Sequence, residues 1–292
     1  MKILITGAAG MLGRVLCGVL AKDCSLFGLG LRRRADKCRF YRCDIADYSR
    51  LRQTIEAASP QVIIHAAAWT DVDGCELNPA KSAAVNFRGT VNVARVARAL
   101  GSSLFFISTD YVFSGRKKAP YNEKDRAYPL NVYGRDKLRA ERFIRKNLQH
   151  YFIVRSSWLY GPGGNNFVDK ISRAMKNKPR LKVVGDQIGA PTYVYDLAGG
   201  IRRLVFSAQH APRRYRGIYH ITNRGGCSWY ELARAVARLR KISCLVVAAR
   251  SQDLSRPARR PANSLLDNTK FNRLAHKPLR HWKAALRDYV QP

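Results

Sequence analysis

Residues 2–13 read KILITGAAGMLG, and this stretch decides the fold class. Its first half is a short apolar run, which is typical of a buried strand. Its second half places Gly7, Gly10 and Gly13 in the pattern GxxGxxG, and Met11–Leu20 continues with apolar residues at helical spacing. Glycines there permit a tight turn, the approach of a diphosphate to the backbone and close packing of helix on strand, while the first N–H groups of the helix attract anions. The pattern predicts a dinucleotide-binding turn built from Gly7, Gly10, Met11, Leu12 and Gly13.

Strand and helix patterns alternate through the first half of the chain. Residues 62–66 and 104–108 are further continuous apolar runs, and residues 80–100 have a long helical period. This alternation predicts βαβ units and an α/β fold with a doubly wound parallel sheet of the Rossmann type. Turn signals become frequent in the second half. We therefore predict a dinucleotide-binding domain with the catalytic residues over 1–155. Over 156–292 we predict mainly a smaller substrate-binding lobe, interleaved with the end of the Rossmann core.

The charge of the chain is strongly basic. Its 292 residues include 53 Lys plus Arg against 20 Asp plus Glu, a formal net charge of +33. Such a charge attracts polyanions, so binding to nucleic acid or to a membrane surface is one interpretation. Steering of anionic metabolites into a site is another. The basic residues are spread over the whole chain without a zinc-finger, basic-zipper or RNP pattern, which favours a solvated basic surface and disfavours nucleic acid.

Membrane spans and disulfides are not expected. No apolar run approaches the roughly 20 residues that cross a bilayer. The N-terminal segment lacks the charged-then-apolar layout of a secretory signal. The seven cysteines are scattered, odd in number and without a CxxC pair. This usage is typical of thiols in a reducing compartment, so we predict a cytoplasmic protein.

The end of the second predicted strand indicates the cofactor. Dinucleotide-binding domains that take NAD usually have an acid there, which binds the ribose 2′-hydroxyl. Here the sequence is Arg32-Arg33-Arg34, which suits a 2′-phosphate and lacks the carboxylate. We therefore predict NADPH, with NADH as the alternative. Further cofactor contacts are predicted after the third and fourth strands, at Asp44, Ile45, Ala66, Ala67 and Ala68.

A tyrosine and a lysine carry the predicted chemistry. Tyr133 and Lys137 are four residues apart, on one face of a predicted helix whose N-cap is Asn131. A nearby ammonium favours the phenolate, so we expect Lys137 to lower the pKa of Tyr133. Thr109 ends a predicted strand, and its hydroxyl can donate to a carbonyl oxygen in the same site. A YxxxK spacing by itself more often marks two residues on the surface of a helix. Beside a glycine turn and Thr109 it predicts carbonyl reduction, with hydride from a nicotinamide and a proton from Tyr133.

These residues resemble the extended short-chain dehydrogenase/reductase family, and further motifs resemble its dTDP-4-dehydrorhamnose reductases from end to end. The motifs are STDYVFSG at 108–115, PY at 120–121, PLNVYG at 129–134, RSSWLYG at 155–161, DQIGAPT at 186–192 and RPANS at 260–264. The resemblance implies reduction of the 4-keto group of dTDP-4-dehydro-L-rhamnose with NAD(P)H, giving dTDP-L-rhamnose for cell-surface polysaccharide. It implies a catalytic set of Thr109, Tyr133 and Lys137, of which Tyr133 and Lys137 are also expected to contact the cofactor. The other residues that it implies are Asn86 toward the cofactor and Asp110, Tyr111, Trp158, Gln187 and Thr192 toward the substrate.

Departures from the family pattern leave alternatives open. Some members dimerise through magnesium held by glutamates, one of them in the first helix, but residues 13–16 carry no acid. We therefore predict no metal site, and a homodimer without a magnesium bridge. Asn86 has the alternative of an ordinary helix asparagine. A ketoreductase for another deoxy-sugar nucleotide is a close alternative function. A non-catalytic binding subunit is another, because the regulatory subunit of methionine adenosyltransferase also resembles this family.

Overall fold

The alternating pattern of the first half forms a parallel sheet, as predicted. The computed structural model describes residues 1–32, 37–209 and 211–291. Its strands are β1 (Lys2–Thr6), β2 (Ser25–Gly30), β3 (Arg39–Arg42), β4 (Val62–His65), β5 (Ser103–Thr109), β6 (Tyr151–Ser156), β7 (Leu159–Tyr160), β8 (Arg180–Val184), β9 (Ile188–Gly189), β10 (Thr192–Tyr193), β11 (Gly217–His220), β12 (Cys227–Ser228) and β13 (Leu245–Ala249). Within the described ranges, seven strands form one parallel sheet in the order β3-β2-β1-β4-β5-β6-β11. The strand order reverses beside β1, which is where doubly wound sheets bind ligands.

Helices cover both faces of this sheet. They are α1 (Met11–Leu20), α2 (Tyr48–Ala58), α3 (Val72–Leu77), α4 (Pro79–Ser82), a π-helical segment (Ala83–Gly89), α5 (Thr90–Ala99), α6 (Val132–Asn147), α7 (Phe167–Lys176), α8 (Val194–Gln209), α9 (Pro212–Tyr215), α10 (Trp229–Leu239), α11 (Thr269–Ala275) and α12 (Trp282–Val290), with 3-10 turns at Asp110–Val112 and Ser251–Asp253. Helices α1, α8 and α11 bury apolar side chains against one face, and α2, α5 and α6 against the other. The two-sided cover explains the continuous apolar strands, since such strands face apolar neighbours at every position.

A separate apolar cluster lies beside the sheet, between α7, α10 and α12. The short strand pairs β7–β10, β8–β13 and β9–β12 contribute side chains to it. We call α7, α10, α12 and these short strand pairs the lobe. β11, α8 and α11 also come from the second half of the chain but pack on the sheet, so the halves interleave. The boundary at residue 155 stays a prediction. No helix in the described ranges is long and apolar enough to span a membrane.

Polar side chains gather where the sheet strands end. The strand register pairs Thr6 with His65, and Thr109 with Ser156. His65 is fully buried, and its ring nitrogens hydrogen-bond to the hydroxyls of Thr6 at 2.6 Å and Thr90 at 3.0 Å. It therefore ties β1 and β4 to α5. Because the strands are parallel, Thr109 opens onto the same edge as the glycine turn that follows β1.

A buried ion pair joins α6 to β6. Nε and Nη2 of Arg155 donate to the two oxygens of Glu141 at 2.9 and 2.6 Å, and both side chains are almost fully buried. Glu141→Ala is expected to lower the free energy of unfolding by about 3–5 kcal/mol, because it leaves the Arg155 charge buried without its partner. Glu56→Ala breaks the exposed pair with Arg52 and is expected to cost far less, because water screens both charges. Denaturant unfolding measures both variants, and equal losses contradict the prediction.

Candidate active site

The glycine turn after β1 forms an open cradle at the start of α1. Gly7 has a φ of +69°, and a Cβ there would lie 2.7 Å from the backbone nitrogen of Ala67. A Cβ on Gly13 would lie 2.2 Å from the carbonyl oxygen of Gly7, so α1 packs directly against the turn. Gly10 is the N-cap and offers no side chain to the first N–H groups of the helix. These N–H groups and the helix dipole fit a diphosphate.

A cavity of about 400 Å³ opens between this cradle, the end of β5 and the start of α7. We call it the strand-end cavity. The predicted residues in its lining are Gly7, Gly10, Met11, Leu12, Gly13, Ala66, Ala68, Thr109, Asp110, Tyr111, Tyr133, Lys137 and Trp158. The structure therefore brings the predicted catalytic set and the predicted dinucleotide turn to one space.

Tyr133 reaches this cavity from the first turn of α6. The side chain of Asn131 accepts from the backbone N–H of Gly134 at 2.8 Å, which confirms the predicted N-cap. A Cβ on Gly134 would lie 2.1 Å from the carbonyl oxygen of Tyr111, so the missing side chain lets the helix begin against the end of β5. Tyr133 and Lys137 both line the cavity, as their spacing on one helix face predicts.

The expectation that Lys137 lowers the pKa of Tyr133 is wrong for this structure. Burial raises the pKa of Tyr133 above its ordinary value, the nearby Asp110 carboxyl raises it further, and a hydrogen bond with Thr109 acts in the opposite direction. Burial also lowers the pKa of Lys137 to about 7. Near neutral pH a large fraction of the lysine therefore carries no charge with which to stabilise a phenolate. The phenol of Tyr133 keeps its proton.

Lys137 lies at the base of the cavity, where only 2% of its surface is exposed. Its Nζ is 4.0 Å from the ring centroid of Phe106. Glu141, one turn along α6, raises the Lys137 pKa, but its oxygens already accept from Arg155 and from the hydroxyl of Ser108. The charge of Lys137 is therefore sensitive to what enters the cavity, because a hydrogen-bond acceptor or an anion favours the ammonium.

Thr109 and Asp110 complete the polar end of the cavity. Thr109 Oγ1 donates to Asp110 Oδ1 at 3.0 Å and accepts from the backbone N–H of Tyr111 at 3.1 Å. Burial raises the pKa of Asp110 to about 7, against the opposing effect of the hydroxyls of Ser264 and Thr109. The other oxygen, Oδ2, is buried without a well-formed hydrogen bond in the described part of the chain. Such an atom is costly to leave unsatisfied, and a ligand hydroxyl in the cavity would satisfy it.

Aromatic rings form the wall beside the lobe. Trp158 and Trp229 stack with centroids 3.5 Å apart and planes 8° apart, and Phe167 packs on Trp229 at 4.5 Å. Trp158 has a φ of +49°, which is uncommon for a bulky residue. A Cβ on Gly189 would lie 2.4 Å from the Trp158 ring. The ring is therefore held between Trp229 and the backbone at Gly189, in one orientation.

A second cavity, of about 780 Å³, extends from this wall along α7 and β8. We call it the lobe cavity. Several residues line both cavities, among them Tyr111, Asn165, Phe167 and Trp229. The cationic side chains of the lobe cavity are Lys170, Lys182, Arg256 and Arg260. Arg260 binds both oxygens of Asp73 at 2.8 and 2.7 Å. The other three cations add positive charge to the cavity, and positive charge attracts anionic ligands.

The family described as RmlD substrate binding domain matches residues 1–292. The chain belongs to this family. The resemblance inferred from the motifs is therefore confirmed over the whole chain, and members of the family share the Rossmann-type sheet described above.

Relatives of known name are similar over nearly their full length. The dTDP-4-dehydrorhamnose reductase of Streptomyces griseus is 40% identical over 288 residues, which cover 98% of this chain and 91% of that protein. The spore coat polysaccharide biosynthesis protein SpsK of Bacillus subtilis (strain 168) is 37% identical over 290 residues, which cover 99% and 97%. The dTDP-4-keto-6-deoxy-D-glucose reductase of Streptomyces niveus is 34% identical over 285 residues, which cover 97% and 94%.

A solved structure shares both the sequence and the fold. The crystal structure of dTDP-4-dehydrorhamnose reductase from Bacillus anthracis str. Ames, in complex with NADP, is 33% identical to this chain. It covers 99% of this chain and 98% of its own, with a TM-score of 0.86.

Asn86 lies behind the strand-end cavity of this RmlD family member. Its side-chain amide accepts from the backbone N–H of Trp69 at 2.9 Å and donates to the Trp69 carbonyl oxygen at 3.0 Å. It therefore fixes the segment after β4, and its contact with a cofactor stays a prediction. Asp136, next to Lys137 on α6, accepts from the hydroxyl of Ser82 at 2.7 Å. Its carboxylate is thus directed toward α4.

Two predicted substrate residues lie outside the lining of both cavities. The Gln187 side chain donates to the hydroxyl of Ser251 at 2.8 Å. The Thr192 hydroxyl is fully buried and donates to the carbonyl oxygen of Ala190 at 3.1 Å. In this structure both residues hold the lobe together, and their contact with substrate stays a prediction.

The predicted adenosine end is described only in part. Arg32 is exposed just after β2, whereas Arg33 and Arg34 lie outside the described residues. Asp44 follows β3, and its Oδ1 accepts from the backbone N–H two residues further on at 2.9 Å. Ile45 is buried beside the π-helical segment. The positions of Arg32 and Asp44 at the ends of β2 and β3 agree with a site for the cofactor's adenosine.

Sequence reasoning missed Trp229, Phe167 and the lobe-cavity cations. Trp229 opens α10 behind a capping box formed by Ser228 and Glu231, and this local pattern is visible in the sequence. The pattern predicts a helix start only. The stacking of Trp229 on Trp158 depends on how the lobe packs, which no local pattern encodes.

Proposed function

We propose that the chain reduces the 4-keto group of dTDP-4-dehydro-L-rhamnose with NADPH, giving dTDP-L-rhamnose for cell-surface polysaccharide synthesis. The observation that carries this proposal is the meeting of Thr109, Tyr133 and Lys137 with the glycine cradle in one cavity. The names of the relatives support the sugar nucleotide, and the NADP complex of the Bacillus anthracis enzyme supports the cofactor.

The cradle and its surroundings fit a nicotinamide dinucleotide. The uncapped N–H groups of α1 would hold the diphosphate, and the small side chains of Ala66 and Ala68 leave room across the strand ends. Arg32, with Arg33 and Arg34, would bind the 2′-phosphate. Bound NADPH supplies the hydride for the reduction.

Tyr133 acts as the acid in this proposal. Its raised pKa keeps the phenol protonated at neutral pH, which is the form that a ketone reduction needs at its start. As hydride reaches C4, negative charge develops on the carbonyl oxygen, and the phenol gives its proton to that oxygen. Thr109 donates a hydrogen bond to the same oxygen. Protonation of Lys137, once ligands supply acceptors, stabilises the phenolate that remains.

In this proposal the sugar binds in the strand-end cavity, and the diphosphate of the nucleotide binds in the lobe cavity. Asp110, Tyr111 and Trp158 lie where a sugar would meet Tyr133. The unsatisfied Oδ2 of Asp110 would accept from a sugar hydroxyl, and the fixed ring of Trp158 offers a flat apolar face. The cations of the lobe cavity would bind the diphosphate of the nucleotide.

Replacing Arg32, Arg33 and Arg34 by alanine together is expected to raise the Kd for NADPH by about tenfold or more, the size expected for losing a charged hydrogen bond. The Kd for NADH is expected to stay within about twofold, because NADH lacks the 2′-phosphate. Fluorescence titration with both dinucleotides measures the two constants. An equal loss for both cofactors means that the arginines do not read the 2′-phosphate.

The proposed activity is tested by following NADPH consumption with a panel of keto-sugar nucleotides. The panel includes dTDP-4-dehydro-L-rhamnose generated in situ and its 4-keto-6-deoxy-D-glucose precursor, with NADH in parallel. NADPH consumption that depends on dTDP-4-dehydro-L-rhamnose supports the proposal. Dinucleotide binding without turnover on any member of the panel contradicts it.

A second candidate keeps the chemistry and changes the sugar. The similarity to the Streptomyces niveus relative, whose name gives a D-glucose derivative, is the observation that favours it. Faster turnover of that sugar in the panel would select it. A non-catalytic binding subunit is a third candidate. It predicts that the protein purifies in complex with a partner and shows no turnover. The complete set of Thr109, Tyr133 and Lys137 in one cavity argues against it.

Assembly and location are part of the proposal. We place the reaction in the cytoplasm, because the seven cysteines are scattered along the sequence without a CxxC pair, a usage that is typical of a reducing compartment. We propose that any homodimer forms without a magnesium bridge, since α1 carries no acid in its first turn. The basic surface is proposed to favour the encounter with two polyanionic ligands, and nucleic acid is not a proposed partner.

A further inference from the structure

Arg14 follows the glycine cradle on α1 and binds a loop from the other half of the chain. Its Nη2 donates to the carbonyl oxygens of Pro162 at 3.2 Å and Gly163 at 2.5 Å. We call residues 161–165, with the sequence GPGGN, the glycine strap. The strap connects β7 to α7. Arg14 therefore links the cradle directly to the lobe.

The strap packs on α1 so closely that two of its positions have no room for a side chain. Gly163 has a φ of +69°, and a Cβ there would lie 1.6 Å from Nη2 of Arg14. A Cβ on Gly164 would lie 2.6 Å from Sδ of Met11. Met11 is the first residue of α1, so the strap lies on the helix turn whose N–H groups form the cradle.

The start of the strap is held by hydrogen bonds from the N-cap of α7 and from α12. The carbonyl oxygen of Gly161 accepts from Nδ2 of Asn166 at 2.9 Å and from the hydroxyl of Tyr289 at 3.1 Å. Asn165 and Asn166 line the strand-end cavity together with Gly10 and the other cradle residues. The end of the strap therefore lies at the cradle end of the cavity through Asn165, and its middle contacts α1 through Arg14 and Met11.

We propose that Arg14 is a positioning residue that latches the glycine strap across the diphosphate of the bound dinucleotide, so that entry and release both require the latch to open. The identity of the dinucleotide rests on the proposed function. Both hydrogen bonds of Arg14 go to backbone carbonyl oxygens. Water can donate to these oxygens when the strap lifts, so the latch can open without unfolding the lobe.

Arg14→Ala is expected to raise both the association and the dissociation rate constants of NADPH. Each is expected to rise by about tenfold, the order of magnitude for losing a hydrogen bond from a charged donor. Both rise because opening is a step shared by entry and exit. An arginine that only attracted the diphosphate would act differently, since its loss would slow association while speeding dissociation.

Stopped-flow quenching of tryptophan fluorescence by NADPH measures both rates without turnover. Gly163→Ala is the second variant, because it keeps the Arg14 charge while its Cβ displaces the guanidinium. Arg203→Ala is the matched control: Arg203 lies on α8, and its Nη1 donates to the Lys277 carbonyl oxygen at 3.5 Å. Thermal unfolding checks that all three variants remain folded.

The latch predicts that both rates rise in Arg14→Ala and Gly163→Ala and stay at the wild-type value in Arg203→Ala. Unchanged rates in Arg14→Ala overturn it. Slower association in Arg14→Ala, with wild-type rates in Gly163→Ala, also overturns it. That result would mean that Arg14 only attracts the anionic dinucleotide. A wild-type protein that gives no NADPH signal contradicts the proposed function itself, and the latch with it.

Discussion

Tyr133→Phe is expected to lower kcat by about 10²–10⁴-fold, the usual contribution of a positioned general acid. The phenylalanine ring keeps the edge-on packing against Tyr111, whose centroid is 6.4 Å away, so the site keeps its shape. What is lost is the proton that the raised pKa holds on the phenol. Steady-state kinetics and NADPH titration measure the effect, with kcat falling and the NADPH Kd staying at the wild-type value.

Tyr195→Phe is the matched control for this variant. Tyr195 lies on α8 with 47% of its surface exposed, and its loss of a hydroxyl is expected to leave kcat unchanged. Turnover near the wild-type value in Tyr133→Phe would place the acid elsewhere. Asp110 would then be the next group to test, because its pKa of about 7 lets it hold a proton at neutral pH.

Lys137→Met is expected to change activity and stability in opposite directions. Turnover is expected to fall by about 10²-fold or more, because the phenolate that forms at Tyr133 loses its cation. The free energy of unfolding is expected to rise by an amount on the order of 1–3 kcal/mol at neutral pH, because a buried amine no longer has to be desolvated or deprotonated. Steady-state kinetics and denaturant unfolding of the same preparations measure the two effects.

The stability gain of Lys137→Met has a defined pH dependence. The pKa of Lys137 falls from 10.5 to about 7 on folding, so the unfolded chain binds the proton more tightly. The destabilisation caused by burying the Lys137 amine is therefore fully present below about pH 7. It disappears as the pH rises toward 10.5, the pKa of the lysine in the unfolded chain. The gain in Lys137→Met is expected to follow the same course. Lys176→Met, on the exposed face of α7, is the control, and a gain of equal size there would contradict the explanation.

Local patterns predicted much of the fold and the cradle. The glycine spacing after β1, the Asn131 cap and the YxxxK spacing each depend on residues within one turn of chain, and each forms as predicted. Continuous apolar strands predicted the doubly wound sheet, because burial on both faces leaves a pattern in every strand. The family followed from motifs spread along the chain.

Features that depend on packing between distant segments were not predictable. The raised pKa of Tyr133 reflects how deeply α6 is buried, and the spacing to Lys137 alone suggested the opposite shift. The stacking of Trp229 on Trp158 and the contact of Arg14 with the glycine strap join segments far apart in sequence. In the sequence, Arg14 resembles an ordinary surface residue, because its contact with the strap is not visible there.

In the proposed reaction, hydride passes from NADPH to C4 of the sugar, and a proton passes from Tyr133 to the oxygen on C4. The most direct test is to supply NADPH deuterated at the transferred position with dTDP-4-dehydro-L-rhamnose and to analyse the product by mass spectrometry and NMR. We expect dTDP-L-rhamnose with deuterium at C4, and no labelled product from Tyr133→Phe on the same timescale. Product without deuterium at C4, or labelled product formed equally fast by Tyr133→Phe, would contradict the proposed reaction.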